Sequence, residues 1–228
     1  KFKERSVWLF KLLNISYKKQ MILKRVKVNA GAIMGINCYI IQDEKTKETM
    51  IIDPGNVPEN LIEVLDAMQV KMKYILLTHC HGDHIGGVSK IKEKYGGKVL
   101  VHTKDAVGLK DVNINLSTHI GLEPIILQED ARINDGDLLH VGNLEFQVIH
   151  TPGHTCGSIS LYCEQEKMLF SGDTLFRGSW GRIDLPTSSF EDIIASITNK
   201  LIKLPADTIV YPGHRKINNN WRRKNNLY

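Results

Sequence analysis

Thr78-His79-Cys80-His81-Gly82-Asp83-His84 places four side chains able to ligate metal within six residues. The stretch leaves an apolar run, Tyr74–Leu77, whose composition predicts a buried strand. It leads into Gly86-Gly87 and a helical pattern over Ile85–Tyr95 that Gly96-Gly97 closes. Residues two apart on extended backbone project to the same side, so His79 and His81 can share one ion. Asp83 and His84 lie past the turn and can face a second. Taken alone, the stretch also suits a His-rich surface turn or a single structural zinc.

Three stretches further along the chain carry the same chemistry. The strand pattern Leu144–His150 ends in Thr151-Pro152-Gly153-His154-Thr155, Lys167–Phe170 in Ser171-Gly172-Asp173-Thr174, and Thr208–Tyr211 in Pro212-Gly213-His214. Each sets a ligand side chain on a glycine-containing turn at a strand end, which is how sheet edges converge functional groups on one cleft. His79, His81, Asp83, His84, His154, Asp173 and His214 are therefore predicted to form one metal site.

Around these stretches the patterning predicts an α+β scaffold. Strands are expected from Met21 to Val28 and at Cys38–Gln42, Thr49–Ile52, Lys98–His102 and Ser158–Cys163. One helix should start at Pro58 and run to Met68; another should span Ser189 to Lys203, with Phe190, Ile193, Ile194 and Ile197 on its apolar face. Thr103–Leu122 is polar and weakly periodic, a surface excursion with a short helix that either lines a substrate cleft or serves only as a loop.

The 228 residues, 42% hydrophobic and 24% charged, suffice for one domain with its own core and exclude disordered and collagen-like classes. A formal charge of +5, scattered except at the two ends, gives no reason to expect a nucleic-acid partner. Four cysteines without C-x-x-C spacing read as free thiols of a cytoplasmic protein. Residues 1–20 are basic with a short apolar run that Lys11 interrupts, which fits neither a signal peptide nor a membrane span. They read as an N-terminal extension, native or added for expression, with the domain expected over residues 21–228.

In this order and spacing, T-H-C-H-G-D-H, T-P-G-H-T, S-G-D-T-L-F and Y-P-G-H resemble the metallo-β-lactamase-fold hydrolases, over nearly all of Met21 to His214. Gly172-Asp173-Thr174-Leu175-Phe176, followed by Gly178 to Pro186, is similar to the glyoxalase II-like (hydroxyacylglutathione hydrolase-like) branch. The resemblance implies an αβ/βα sandwich, two β-sheets face to face with helices outside. It assigns His79, His81 and His154 to one metal, Asp83, His84 and His214 to a second, and Asp173 to both.

Two zinc ions per chain are the implied cofactor, although imidazole and carboxylate also accept iron or manganese. Such a pair would acidify a shared water as the attacking group on a thioester carbonyl, with Asp83 the only side chain needed for proton transfer. The implied partner is a small acyl-thiol molecule, with no membrane. Related readings are a mononuclear iron persulfide dioxygenase and a lactone or β-lactam hydrolase.

Arg182 falls where the branch carries a basic residue near the substrate's thiol portion; a salt bridge to Asp184 is the other reading of it. Similar proteins use the equivalent of Asp53 to support a ligand loop by hydrogen bonding. Arg215 to Lys224 departs from the family pattern and is read as a basic, solvated edge, and the helical region that recognises glutathione in typical glyoxalase II enzymes is not found after it. His102, His119, His140 and His150 lack motif spacing and receive no catalytic part; His150 is read as a supporting or core histidine. Cys80 and Cys156 are read as incidental.

Overall fold

Alternation with a period of two runs through the strands and sorts their side chains onto opposite faces of each sheet. In the computed structural model, which describes residues 21–218, eleven strands form two sheets. The first contains β1 (Met21–Ala30), β2 (Ile33–Asp43), β3 (Glu48–Ile52), β4 (Lys71–Leu76), β5 (Lys98–His102) and β6 (Ala131–Ile133), in that order. The second runs β11 (Ile209–Pro212), β10 (Met168–Gly172), β9 (Ile159–Cys163), β8 (Leu144–His150), β7 (Leu138–Val141). β3 to β6 pair in parallel, as do β10 and β11; the other pairs are antiparallel.

Tyr39, Ile41, Met50, Ile52 and Leu76 point from the first sheet into a core shared with Phe146, Val148, Leu161 and Phe170 of the second. Their neighbours Ile40, Ile51, Ile75 and Val99 point the other way, onto Leu61, Leu65, Val88 and Ile91 of the helices α1 (Glu59–Ala67) and α3 (Val88–Tyr95). On the outer face of the second sheet, Tyr162, Leu169 and Val210 meet Ile193 and Ile197 of the segment that begins with α5 (Phe190–Ala195). The layers are therefore helix, sheet, sheet, helix, the sandwich the resemblance implies. No helix among the described residues is long and apolar enough to cross a membrane.

Several boundaries differ from the sequence expectation, for local reasons. The helix expected from Ile85 to Tyr95 is two: α2 (Gly82–Ile85) and α3, separated at Gly86-Gly87. The His84 carbonyl, which a continuous helix would bond to Val88, instead accepts from Gly55 N at 2.9 Å. The segment predicted as one helix from Ser189 to Lys203 starts with a Ser189 side-chain cap on Asp192 N, then widens to a π-turn over Ser196–Lys200 and tightens to a 3₁₀ turn over Leu201–Lys203. Thr198 Oγ1 donates to the Ile194 carbonyl within this irregular stretch, a back-bond of the kind that disturbs helices. Phe190, expected on its apolar face, is 47% exposed. β6 and β7 were not anticipated; both are short, and although β7 alternates exposed and buried positions, Leu138-Leu139-His140-Val141 does not alternate apolar with polar residues. The short helix expected in residues 103–122 is α4 (Val112–Asn115). Residues 1–20 and 219–224, read above as an extension and a basic edge, lie outside the described residues.

Asp43 ties the two sheets together at one end. Its Oδ1 accepts from Lys45 N, Thr46 N and Thr46 Oγ1 in the β2–β3 turn, and its Oδ2 from Asn143 N in the β7–β8 turn. Burial opposes its ionisation, but the Thr46 and Asn143 bonds prevail and hold the carboxyl below the usual aspartate range. Asp43→Ala, which orphans these donors, is expected to cost about 2 kcal/mol in chemical denaturation. Because the folded-state pKa is depressed, the contribution is present at neutral pH and fades as pH falls through and below the ordinary aspartate value, so wild type and variant should converge in acid.

Candidate metal centre

The site forms where strands from both sheets end at one edge of the sandwich. The first sheet contributes the loop after β4, with His79 in a bend, His81 on extended backbone and Asp83 and His84 in α2. The second contributes His154 after β8, Asp173 after β10 and His214 after β11. Tight turns make this convergence possible: a Cβ on Gly213 would overlap Asp173 Oδ1 and lie 2.8 Å from His84 Cε1.

The seven side chains fall into two trios. His79, His81 and His154 bring one ligand atom each within 4.8 Å of one another, and Asp83, His84 and His214 do the same. His81 Nδ1 lies 2.9 Å from His154 Nε2, His84 Nε2 3.2 Å from His214 Nε2, and His214 Nε2 3.2 Å from Asp83 Oδ2. Asp173 stands between the trios, its Oδ2 3.7 Å from His154 Nε2 and 3.5 Å from His214 Nε2, its Oδ1 3.6 Å from His84 Nε2. Donor atoms on one tetrahedral ion with ligands at about 2.0–2.1 Å are separated by roughly 3.3 Å, so these spacings fit bound cations. His79 Nε2 and Asp173 Oδ1 are buried without a hydrogen bond, a costly state that a cation would relieve.

Neighbouring groups fix which ring nitrogen each histidine presents. The Arg182 carbonyl can only accept, so His154 Nδ1 donates to it at 2.9 Å and Nε2 is left for the centre. His84 Nδ1 lies 2.9 Å from Asp53 Oδ2, and Asp53 also accepts from Thr78 N and Thr78 Oγ1, next to His79. Asp53, His79 and His84 also cluster closely enough to hold an ion. The hydrogen bonds from Thr78 and His84 already occupy both Asp53 oxygens, so Asp53 is a supporting carboxylate, as the resemblance implied.

Burial first, then the surrounding imidazoles, pushes His79 and His81 well below the usual histidine range, which leaves them neutral as ligation requires. Burial opposes charge on Asp83, yet His84 and His214 outweigh it and keep its carboxyl ionised well below the usual range. His84 is pushed up to about 10, because Asp83, Asp173 and Asp53 together exceed the burial cost.

A second buried carboxylate joins the two ligand loops. Asp105 accepts from Cys80 N at 2.9 Å in the first loop, and from Thr155 Oγ1 and Gly157 N, both at 2.7 Å, just past His154. Sequence reading missed it, since Asp105 lies in a stretch with no motif of its own. His150 stacks on His102 at 4.1 Å and donates from Nε2 to the Cys156 carbonyl; it supports the His154 loop, as one of its two readings held.

A family model of the metallo-beta-lactamase superfamily matches residues 32–214. The chain belongs to that superfamily. Within it, the chain is 34% identical over 180 residues, 78% of this chain and 84% of the relative, to the hydroxyacylglutathione hydrolase GloC of Haemophilus influenzae. Among solved structures it is similar to the BLEG-1 B3 metallo-beta-lactamase, with a TM-score of 0.79 and 38% identity over 86% of this chain and 93% of that one. It is also similar to TTHA1623 in a di-iron-bound form, with a TM-score of 0.78 and 31% identity over 90% of this chain and all of that one.

In this member of the metallo-beta-lactamase superfamily the two trios open onto a cleft of about 620 Å³. His81, Asp83, His154, Asp173 and His214 line its floor, and Ile33, Met34, Ile120, Phe176, Trp180 and Leu185 its walls. Asn115 and Leu116 also line it, so the 103–122 excursion is a cleft wall and not only a loop. Arg182 lines the cleft too, but its guanidinium is engaged with Asp184, Nε at 2.9 Å and Nη2 at 2.8 Å, the other reading of this residue. Lys27 and Arg215 border the same space. Arg215 is thus no part of a purely solvated edge.

Proposed function

We propose that this chain is a dinuclear metal-dependent hydrolase that cleaves acyl thioesters. The observation that carries the reading is the pair of ligand trios flanking Asp173 on the floor of an open cleft. Water activated at such a centre is the acceptor of the acyl group in this reading. The similarity to GloC supports a thioester as the bond cleaved.

In this reading His79, His81 and His154 hold one cation, Asp83, His84 and His214 a second, and Asp173 touches both. Bound there, divalent cations supply Lewis acidity towards the carbonyl and lower the pKa of water. The Asp83 carboxylate borders the cleft and can accept a hydrogen bond from water there. The Arg182 carbonyl and Asp53 keep the rings of His154 and His84 aimed inward. A thiol has a pKa near 8.5, so its thiolate departs unprotonated, and the cleft needs no general acid.

The persulfide dioxygenase reading requires a single iron held by two histidines and one aspartate, which would leave the second trio without a role. Metal analysis of protein purified without added metal, together with an assay on lactoylglutathione, tests the proposal. The expected result is close to two metal ions per chain and release of free thiol. One iron per chain with oxygen uptake on a persulfide, and no thiol release, would overturn it.

A further inference from the structure

On the cleft rim stand two cations, Lys27 and Arg215, that neutral groups hold in place. Lys27, on β1, donates from Nζ to the Gly35 carbonyl at 2.6 Å and reaches the Arg215 carbonyl at 3.5 Å; among the described residues it makes no ion pair. Partial burial, with Arg25 on the same strand, holds its ammonium below the usual lysine range.

Arg215 follows the candidate ligand His214 and adopts a left-handed backbone, φ 67°, which costs a non-glycine residue free energy. The Asn37 side chain donates to its carbonyl at 3.2 Å and helps hold that conformation. At the other end, Arg215 Nη1 donates to Ser179 Oγ at 2.7 Å, and the guanidinium carbon sits 5.4 Å from the centre of the Phe176 ring. Neutral groups thus fix this guanidinium at the cleft, and among the described residues it too makes no ion pair. Of the three cations lining the cleft, Lys27, Arg182 and Arg215, Arg182 alone pairs with a carboxylate among the described residues, that of Asp184. The carboxylates in the lining, Asp83 and Asp173, face the histidines of the floor.

An arginine held by neutral groups without a carboxylate, beside an exposed lysine whose ammonium is tied to backbone carbonyls, is preorganised for an external anion. We propose that Lys27 and Arg215 form a specificity rim that selects substrates whose leaving-group half carries a carboxylate. The inference rests on the reading of this cleft as the substrate site.

A matched pair of substrates tests it on the full, metal-loaded chain: S-acetyl-3-mercaptopropionate and its uncharged methyl ester. Wild type is expected to prefer the acid by about tenfold or more in kcat/KM, mainly through KM. In Lys27→Gln and Arg215→Gln the ratio should fall several-fold, and in the double variant it should approach one. Lys27→Arg and Arg215→Lys, which keep the charge, should retain most of it and so separate charge from folding. A ratio near one in wild type, an undiminished ratio in the double variant, or its loss in Arg182→Gln instead would overturn the proposal.

If neither ester releases thiol, the hydrolase reading fails and calorimetry decides the rim separately, using S-benzyl-3-mercaptopropionate and its methyl ester. Roughly tenfold tighter binding of the acid that disappears in the double variant supports the rim. Equal affinities in wild type, or a difference that survives in the double variant, overturn it.

Discussion

Asp173→Ala is expected to lower kcat/KM on a thioester by ~10³-fold or more and to cut the metal content of the purified chain well below that of wild type, with the circular dichroism spectrum retained. Asp173 approaches both trios from the cleft floor, with oxygens 3.7 Å from His154 Nε2, 3.5 Å from His214 Nε2 and 3.6 Å from His84 Nε2. Removing it takes a carboxylate oxygen from beside each trio and leaves the imidazoles with less negative charge to balance a cation. Removing Asp83 would weaken one trio only. Elemental analysis alongside a thiol-release assay checks the expectation; full metal content with activity within tenfold of wild type would refute it.

Asp105→Ala is expected to lower activity by roughly 10- to 100-fold although its side chain is absent from the cleft lining. The carboxylate is buried, and it is the piece that holds Cys80 N, between His79 and His81, to Thr155 and Gly157, beside His154. Its loss orphans two backbone donors in the interior, while Thr155 Oγ1 keeps a partner in Ser158 Oγ at 2.8 Å. The cost is about 3 kcal/mol of stability. Because the loops on either side of the first trio would drift apart, metal affinity should fall along with kcat, a change that equilibrium dialysis reads directly. A variant that is destabilised but binds metal as wild type does would reduce Asp105 to a purely structural role.

Much of the candidate site is legible in the sequence because each ligand sits in a short motif at a strand end, where local turn chemistry announces it. His79 and His81 are two residues apart, and Gly153 and Gly213 immediately precede His154 and His214. The sandwich is implied by the resemblance those motifs carry; strand and helix patterning by itself reaches only layered α and β packing, because β2 and β3 are buried on both faces and do not alternate. What was not legible depends on the folded arrangement. Asp105 and Lys27 have no motif, and each acquires its role from residues far along the chain: Thr155 in one case, Arg215 in the other. Arg215 reads locally as the start of a basic run, and only packing brings it onto Phe176 and Ser179. Arg182 shows the converse: a promising position whose nearest neighbour in charge, Asp184, engages the side chain first. β6 and β7 escaped because three- and four-residue strands with exposed positions carry too few alternations to register.

The two trios each draw ligands from both sheets: His79 and His81 with His154, Asp83 and His84 with His214. A cation in either position would therefore rivet the two sheets together at this edge of the sandwich, and global unfolding would have to expel it. Any ion that binds the folded chain alone raises its stability in step with the logarithm of free ion concentration. Catalytic competence and resistance to heat would then rise and fall together with metal supply, and a chelator would act on this chain as a mild denaturant as well as an inhibitor.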